Sequence, residues 1–529
     1  MIRGILFTIA GLILLIIVAY FVSEPLIEKK INNELKKLEP ELAVSYSSVH
    51  LELFDAAVRF DNLDIRFIPD PQDTGHRHTV HFQQVRLSGI HFFSLIKGRN
   101  FEAEKLSLGP SNIAIDRVLL DKNKSLPAEL LSRLDLSFRQ ISIGRIELEE
   151  SKISVDSAKQ NQLRMKSEAA LNELEIDHIK DSFSVKNVHF KSIKGMLTDI
   201  SIPIPGTFHK LQIKSFIFNS EESTASIRSL IVNPEYSKSE LGSKFGYQAD
   251  FVEANIPEIE IINPDWSALL NNKIKIRKII VGKTNVYVFR DRRLPRKLKD
   301  QPLPAEFLNS LPFDLRIDSL LVNPSSVTYE EFPAKGDQTG TLRIERMQLS
   351  LTPLLNHPAK GEPQELHSKV KGAIMGSGEV IATISMPLQP KLDYTAEGAF
   401  NNLDLTKLNS SAEHLGNFHI ESGILNNLTF QFHFNEVKST GQIVGEYHNL
   451  VIDKLRENEK HLGKKDVIKS FLLQKLVIRK DKDKSLPVSK RTGKIDYQRD
   501  PTRFISSYLL KSLLSGVKAS FSLGFVLPG

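Results

Sequence analysis

The chain has 529 residues, 41% of them hydrophobic, and carries 70 basic against 63 acidic residues for a net charge of +7. It contains no cysteine, which excludes disulfide scaffolds, structural cysteine–zinc sites and thiol nucleophiles. The mild basic excess suits an anionic membrane surface or plain solubility, and falls short of a nucleic-acid-binding excess.

Reading from the N-terminus, Gly4 to Val22 is an uncharged apolar stretch, and roughly 20 apolar residues span a bilayer as a helix. Arg3 precedes it, so the positive-inside bias predicts a cytoplasmic N-terminus at residues 1–3, an anchor at 4–22 and an exported body. A cleaved signal peptide is the competitor; Val18-Ala19-Tyr20-Phe21-Val22-Ser23 lacks a small-residue cleavage site, which favours the anchor. Residues 23–42 read as an amphipathic helix, with Ile27, Ile31, Leu35 and Leu38 at helical spacing between Pro25 and Pro40.

Residues 43–478 have the texture of short alternating strands separated by Asn, Asp, Gly, Pro and Ser. The expected class is mainly β, with short helical insertions near 265–272 and 304–311. One apolar pattern recurs, with steps of two, three, two, five and two residues. It runs through Ile141, Ile143, Ile146, Leu148, Ile153 and Val155, and again through Ile274, Ile276, Ile279, Val281, Val286 and Val288. A third copy is Leu315, Ile317, Leu320, Val322, Val327 and Tyr329; looser copies start at Val44 and Phe101, and shorter ones at Val80, Phe183, Leu211 and Phe471. A step of two keeps one strand face, a step of three reverses it, and a β-bulge absorbs the extra residue without reversal. Each unit therefore reads as a bent strand, a turn over residues such as Asn323-Pro324-Ser325-Ser326, and a returning strand. Stacked units make a long, curved sheet with one apolar face. That face either closes on itself as a dry core or stays open as a groove, and periodicity does not separate the two.

Residues 479–499 read as a basic, exposed linker, and 500–529 as a C-terminal amphipathic helix and tail. Phe504, Tyr508, Leu509, Leu513 and Val517 recur at helical intervals, facing either a membrane or partner, or the last strand as a cap.

Signatures of catalysis are poor. The chain has no phosphate-binding glycine loop, no His-Glu-x-x-His helix and no nucleophile elbow. Ser515-Gly516-Val517-Lys518 matches a serine–lysine pair without its partner motifs. His76, His78 and His81 form the one histidine cluster, but no fourth ligand is specified and an exposed loop entering a strand is favoured. The basic run Arg290 to Lys299 suits lipid phosphates or, more simply, a solvated insertion. No enzyme activity, metal, cofactor or nucleic-acid partner is expected.

The anchor followed by PLIEKKINNELKKL and VSYSSVHLELFDAAVRFDNLDI, the LRIDSLLVNPSSVTYEEF unit and the terminal RDPTRFISSYLLKSLLSGVK together resemble the AsmA-like family of bacterial envelope proteins, relatives of TamB and YhdP. The resemblance implies an inner-membrane protein with a periplasmic, taco-like β-groove that moves phospholipid towards the outer membrane and supports envelope integrity. It carries over no catalytic residue. Membrane phospholipids are the implied partners, with another envelope protein at the C-terminal end a second candidate. The lining positions expected on this reading are Ile141, Ile143, Ile146, Leu148, Ile274, Ile276, Ile279, Val281, Leu315, Ile317, Leu320 and Val322. Roughly 25 strands at about 4.8 Å give a sheet of about 120 Å, enough for part of such a route. The competing reading is a non-enzymatic scaffold for outer-membrane proteins that recruits chains to exposed strand edges.

Overall fold

The computed structural model describes residues 42–67, 78–91, 100–116, 140–156, 163–177, 188–270, 273–416, 418–454, 475–477 and 489–520. The protein is mainly β and divides into two units, residues 1–229 with 264–273, and residues 230–263 with 274–529. The expected anchor at 4–22, nearly all of the helix at 23–42, His76 and the first halves of the short repeats at Phe183 and Phe471 lie outside the described residues. Among the described residues no helix is long and apolar enough to cross a membrane.

In unit one, β1 (Leu42–Ser45) and β2 (Ser48–Glu52) pair antiparallel with β3 (Ala57–Phe67). β3 pairs with β4 (His78–Ile90), and β4 with both β5 (Asn100–Leu108) and β6 (Ser111–Asp116). Those two run parallel to β7 (Gln140–Asp156). Antiparallel β8 (Leu163–Asp177), β9 (Val188–Pro203) and β10 (His209–Asn219) follow in turn. β11 (Thr224–Pro234) contains the division between the units.

Unit two holds α1 (Leu241–Phe245) and β12 (Asp250–Pro264); α2 (Trp266–Leu270) belongs to unit one. β13 (Lys273–Val281) and β14 (Asn285–Asp291) lead through α3 (Pro304–Asn309) to β15 (Asp314–Phe332). β14 pairs antiparallel with β12 and parallel with β15. From there antiparallel pairing runs through β16 (Gly340–Thr352) with its continuation β17 (Leu354–Leu355), β18 (Glu365–Ile374), β19 (Gly378–Pro387) and β20 (Tyr394–Asp404). After α4 (Asn409–Gly416) come β21 (Phe418–Phe434), β22 (Lys438–Lys454), β23 (Lys475–Val477) and β24 (Ser489–Gln498), and then α5 (Ile505–Ser520). The helical insertions expected near 265–272 and 304–311 are α2 and α3.

Equivalent residues of successive sequence repeats lie side by side. Phe101 pairs with Ile141, Leu106 with Ile146 and Ile113 with Ile153, while Val286 pairs with Val327 and Val288 with Tyr329. The repeat is thus a parallel pair of copies joined by a crossover. This corrects the expected turn at Asn323–Ser326: β15 runs straight through it. The segment is a bulge, because β15 spends three residues from Val322 to Ser325 while β16 spends two from Leu349 to Met347. β7 does the same from Leu148 to Ser151 against Ala169 to Ser167. A buried serine holds each bulge: Ser151 Oγ donates to the Glu149 carbonyl at 2.9 Å, and Ser325 Oγ to that of Asn323 at 2.6 Å. Each serine is tied to the preceding copy as well, Ser151 to Ser111 Oγ (2.7 Å) and Ser325 to the Thr284 N–H (2.9 Å). Only the looser copy at Val44 turns back, through the short helical turn Leu53–Asp55 into β3.

The step of three is absorbed differently. Gly89, Glu104, Gly144, Glu173 and Lys191 fall at one level of β4, β5, β7, β8 and β9, and the pairs on either side stay in register. The extra residue is matched in every strand, so the whole row turns a corner together. Gly89 (φ 66°) and Glu173 (φ 49°) adopt the left-handed conformation there, and a Cβ at Gly144 would stand 2.8 Å from the Glu104 carbonyl oxygen. The middle side chains point to solvent, and the flanking Ile143 and Ile146 both stay inside.

Each unit has its own packed core. In unit one, Phe60, Leu63, Phe82, Leu87, Phe101 and Leu106 are fully buried. In unit two the core gathers around Tyr394, Phe432, Phe434, Ile443, Ile495 and Tyr508. Of the expected linker at 479–499, residues 479–488 lie outside the described residues, and 489–498 are corrected to strand β24, where Gly493 and Ile495 face α5 and Thr492, Lys494 and Asp496 face water. Its polar composition hid a strand on which the helix lies so closely that glycine stands on one side of each contact, Gly493 beneath the α5 backbone and Gly516 above Ile495.

Candidate functional site

The apolar face of unit two changes character along the sheet. On β13 the alternation is regular: Lys275 and Arg277 are exposed, and Ile274 and Ile276 point to the other face. There Ile274, Ile276, Ile279 and Val281 are half-buried, as are Leu315, Leu320 and Val322 on β15, while Ile317 is buried at 6% exposure. One cross-strand row continues from Val322 to Leu349, Val370 and Ala382, all half-buried. Further along the same sheet Phe430 and Ile443 are buried. The polar–apolar alternation builds the face; α4 packs on the start of β16, where a Cβ at Gly340 would stand 2.5 Å from Leu415 Cγ, and the half-buried residues named above are where the face is partly open.

In unit one the expected lining residues behave differently. Ile141, Ile143 and Ile146 are 4%, 1% and 4% exposed, so the chain itself covers them and they are core residues, a correction to their expected lining role. Leu148 is half-buried. The same spacing therefore supports a dry core in one copy and a partly open face in another. Leu349 and Val370 belong to this open face and escaped the repeat search, although the alternation in LRIERMQLSLT marks β16 as two-faced.

Charged side chains line one end of the open face. Arg290 donates two hydrogen bonds to Asp250, both at 2.6 Å. Burial opposes its charge, but the Asp250 carboxylate outweighs it and holds the guanidinium pKa above normal. Arg292 donates to Glu331 at 2.9 Å, and burial together with Glu331 pushes the Tyr329 hydroxyl far above its usual range. Lys238 bridges Glu330 and the Tyr287 hydroxyl, each at 3.2 Å. The basic run is therefore largely neutralised within the unit: Arg293 pairs with Asp291 at 2.6 Å and Arg296 with Asp500 at 2.9 Å. The four arginines of the run form a structural clasp, and the lipid-phosphate role considered for them is not supported.

The C-terminal helix is likewise committed. Tyr508, Ser512, Gly516 and Ser520 form its buried face, and Leu509, Leu513 and Val517 pack against the core of unit two. Ser439 and Ser512 hydroxyls meet at 2.7 Å. Tyr508, Leu509, Leu513 and Val517 therefore cap the sheet, the second of their two expected roles, in place of membrane or partner contact; Phe504 alone of the five remains exposed, at 51%. Sequence periodicity found the helix and missed the serine–glycine stripe on which it rests.

Cavities occur in both units among the described residues. One of about 400 Å³ in unit two is lined by Ile381, Gly398, Phe430 and Val444 with Thr383 and Gln431. Another of about 630 Å³ in unit one is mixed in charge, with Arg66, Lys152 and Lys166 opposite Asp64 and Asp199. Neither includes an expected lining residue; Ile153, in the second, belongs to the first repeat copy. His81 is held by Asp64 at 3.0 Å, and among the described residues no group of three His, Cys, Asp or Glu could hold a metal. The arrangement offers apolar surface and fixed ion pairs. No protein-family model matches the chain, and no curated protein matches it.

Proposed function

We propose that the chain is a non-enzymatic lipid-binding protein of the bacterial inner membrane, with its body in the periplasm. Acyl tails lie along the open face of β13–β16, and the protein passes phospholipid towards the outer membrane. The resemblance of the two ends and the repeat to the AsmA-like family supports this reading. A single observation carries it: Ile274, Ile276, Ile279, Val281, Leu320 and Val322 are strand-borne apolar residues of which none is fully covered, whereas Leu315 packs against the core. An apolar face left wet is costly at about 25 cal/mol per Å², and a tail of about 16 carbons has roughly 12 kcal/mol to gain by leaving water. A trough of Ile, Val and Leu meets both needs while the headgroup stays in water.

The test is native mass spectrometry of the full chain, extracted and exchanged into a detergent that releases readily. Bound phospholipid is expected, and Ile276→Asp with Leu320→Asp should lower its occupancy by about tenfold. A folded full chain free of lipid, or a double variant retaining as much as the native chain, would refute the reading.

A further inference from the structure

One end of unit two presents four apolar side chains to water on four separate connections. They are Leu298 (72% exposed) on the β14–β15 crossover, Leu392 (49%) between β19 and β20, Val437 (64%) between β21 and β22, and Phe504 (51%) between β24 and α5. The connections are tied to one another. Asn435 Nδ2 donates to Asp393 Oδ1 at 2.8 Å, and the Arg499 and Gln301 N–H groups donate to the Val437 and Pro501 carbonyls, both at 2.8 Å. The Arg296–Asp500 pair at 2.9 Å adds a fourth tie. Braced in this way, the connections hold one another while the four apolar groups stay exposed.

Every tip also places a cation beside its apolar residue: Lys297-Leu298-Lys299, Lys391-Leu392, Val437-Lys438 and Arg503-Phe504. Lys297 donates to the Tyr247 hydroxyl at 3.3 Å and Arg503 pairs with Asp500 at 3.3 Å, while among the described residues Lys299 and Lys391 make no ion pair; two of the nearby acids are engaged, Asp500 by Arg296, Arg503 and Thr502 and Asp393 by Asn435. Asp300 and Glu436 remain, so the balance at the tips is modestly basic. At the other end of the same strands, the β15–β16 connection Pro333-Ala334-Lys335-Gly336-Asp337-Gln338-Thr339 carries no large apolar side chain.

We propose that these four tips dock on the headgroup layer of an anionic lipid bilayer. A protein partner is matched by a contiguous apolar centre with charge at the rim. Here each apolar group stands on its own connection with a basic residue next to it in the chain, the pattern that seats a side chain below the phosphates while its neighbour pairs with them. This surface is distinct from the open face of β13–β16 and does not depend on lipid binding there.

The chain has no cysteine, so single Leu392→Cys and Val437→Cys variants accept one environment-sensitive fluorophore each, with Gln338→Cys as the control at the opposite end. The full chain, held in a nonionic amphipol, is mixed with phosphatidylcholine vesicles with and without phosphatidylglycerol. Blue-shifted emission at 392 and 437, quenching by brominated lipid, and neither at 338 are expected, more strongly with the anionic lipid. Combined Leu298→Ser, Val437→Ser and Phe504→Ser changes should weaken the response of the Leu392→Cys probe about tenfold at unchanged far-ultraviolet circular dichroism. Emission unchanged at saturating vesicles would overturn the proposal. So would fluorophores buried only by a lipid-free protein extract, which would assign the surface to a protein partner.

Discussion

Replacing Gly493 by alanine should loosen the C-terminal helix from the sheet. A Cβ built at Gly493 stands 1.9 Å from the Gly516 carbonyl oxygen and 2.7 Å from the Ser520 nitrogen, both backbone atoms of α5. Ordinary contact needs at least 3.4 Å, so helix and strand must part by over an ångström. A radial gap of 0.5–1 Å already forfeits about a quarter to a half of the dispersion well. The loss falls on Tyr508, Ser512, Gly516 and Ser520 and on the half-buried Leu509, Leu513 and Val517. Overpacking of this kind costs about 1–3 kcal/mol, and the upper end is expected because backbone cannot rotate away. Gly516→Ala is the internal comparison: its Cβ would meet Ile495 Cγ1 at 2.8 Å and Ile443 Cγ2 at 3.0 Å, flexible side-chain atoms that can yield. The assay is urea unfolding of the full chain with hydrogen exchange followed across 505–520. Exchange in that helix should rise sharply in Gly493→Ala and only slightly in Gly516→Ala. Equal exchange in the native chain and Gly493→Ala would refute the direct helix-on-strand contact.

Further predictions concern the bulge and the clasp. Ser325→Ala removes the acceptor of the buried Thr284 N–H and should cost about 1–3 kcal/mol by denaturant unfolding; a neutral change would mean that the parallel repeats are not pinned there. Asp500 is pushed up by partial burial, but hydrogen bonds from Thr502 and Arg296 outweigh this and hold its pKa at about 2, below its usual 3.8. A depressed carboxylate contributes stability that is present above the unfolded value and lost as pH falls through the folded one. With a third of the side chain exposed, the discounted contribution is about 1 kcal/mol. Unfolding midpoints should therefore drop between about pH 4 and 2 more steeply in the native chain than in Asp500→Asn, and parallel profiles would refute the clasp.

The sequence alone determined the class, the repeat and even which strands are equivalent. Side chains two apart share a strand face wherever the strand lies, so the spacing through Ile274 and Ile276 is legible without a structure. The alternation of Lys275 and Arg277 with Ile274 and Ile276 likewise shows which side meets water. Tertiary structure decided whether an apolar face is covered. Ile141 and Ile274 hold the same place in the same motif, yet one is buried and the other half-buried, because coverage depends on what packs above a strand. The turn expected at Asn323-Pro324-Ser325 failed for a related reason. Turn-forming residues also suit a bulge, and only pairing with a continuous neighbour distinguishes them. β24 and the glycine–serine contact beneath α5 stayed hidden because close approach selects small residues, and small residues carry no hydrophobic signal.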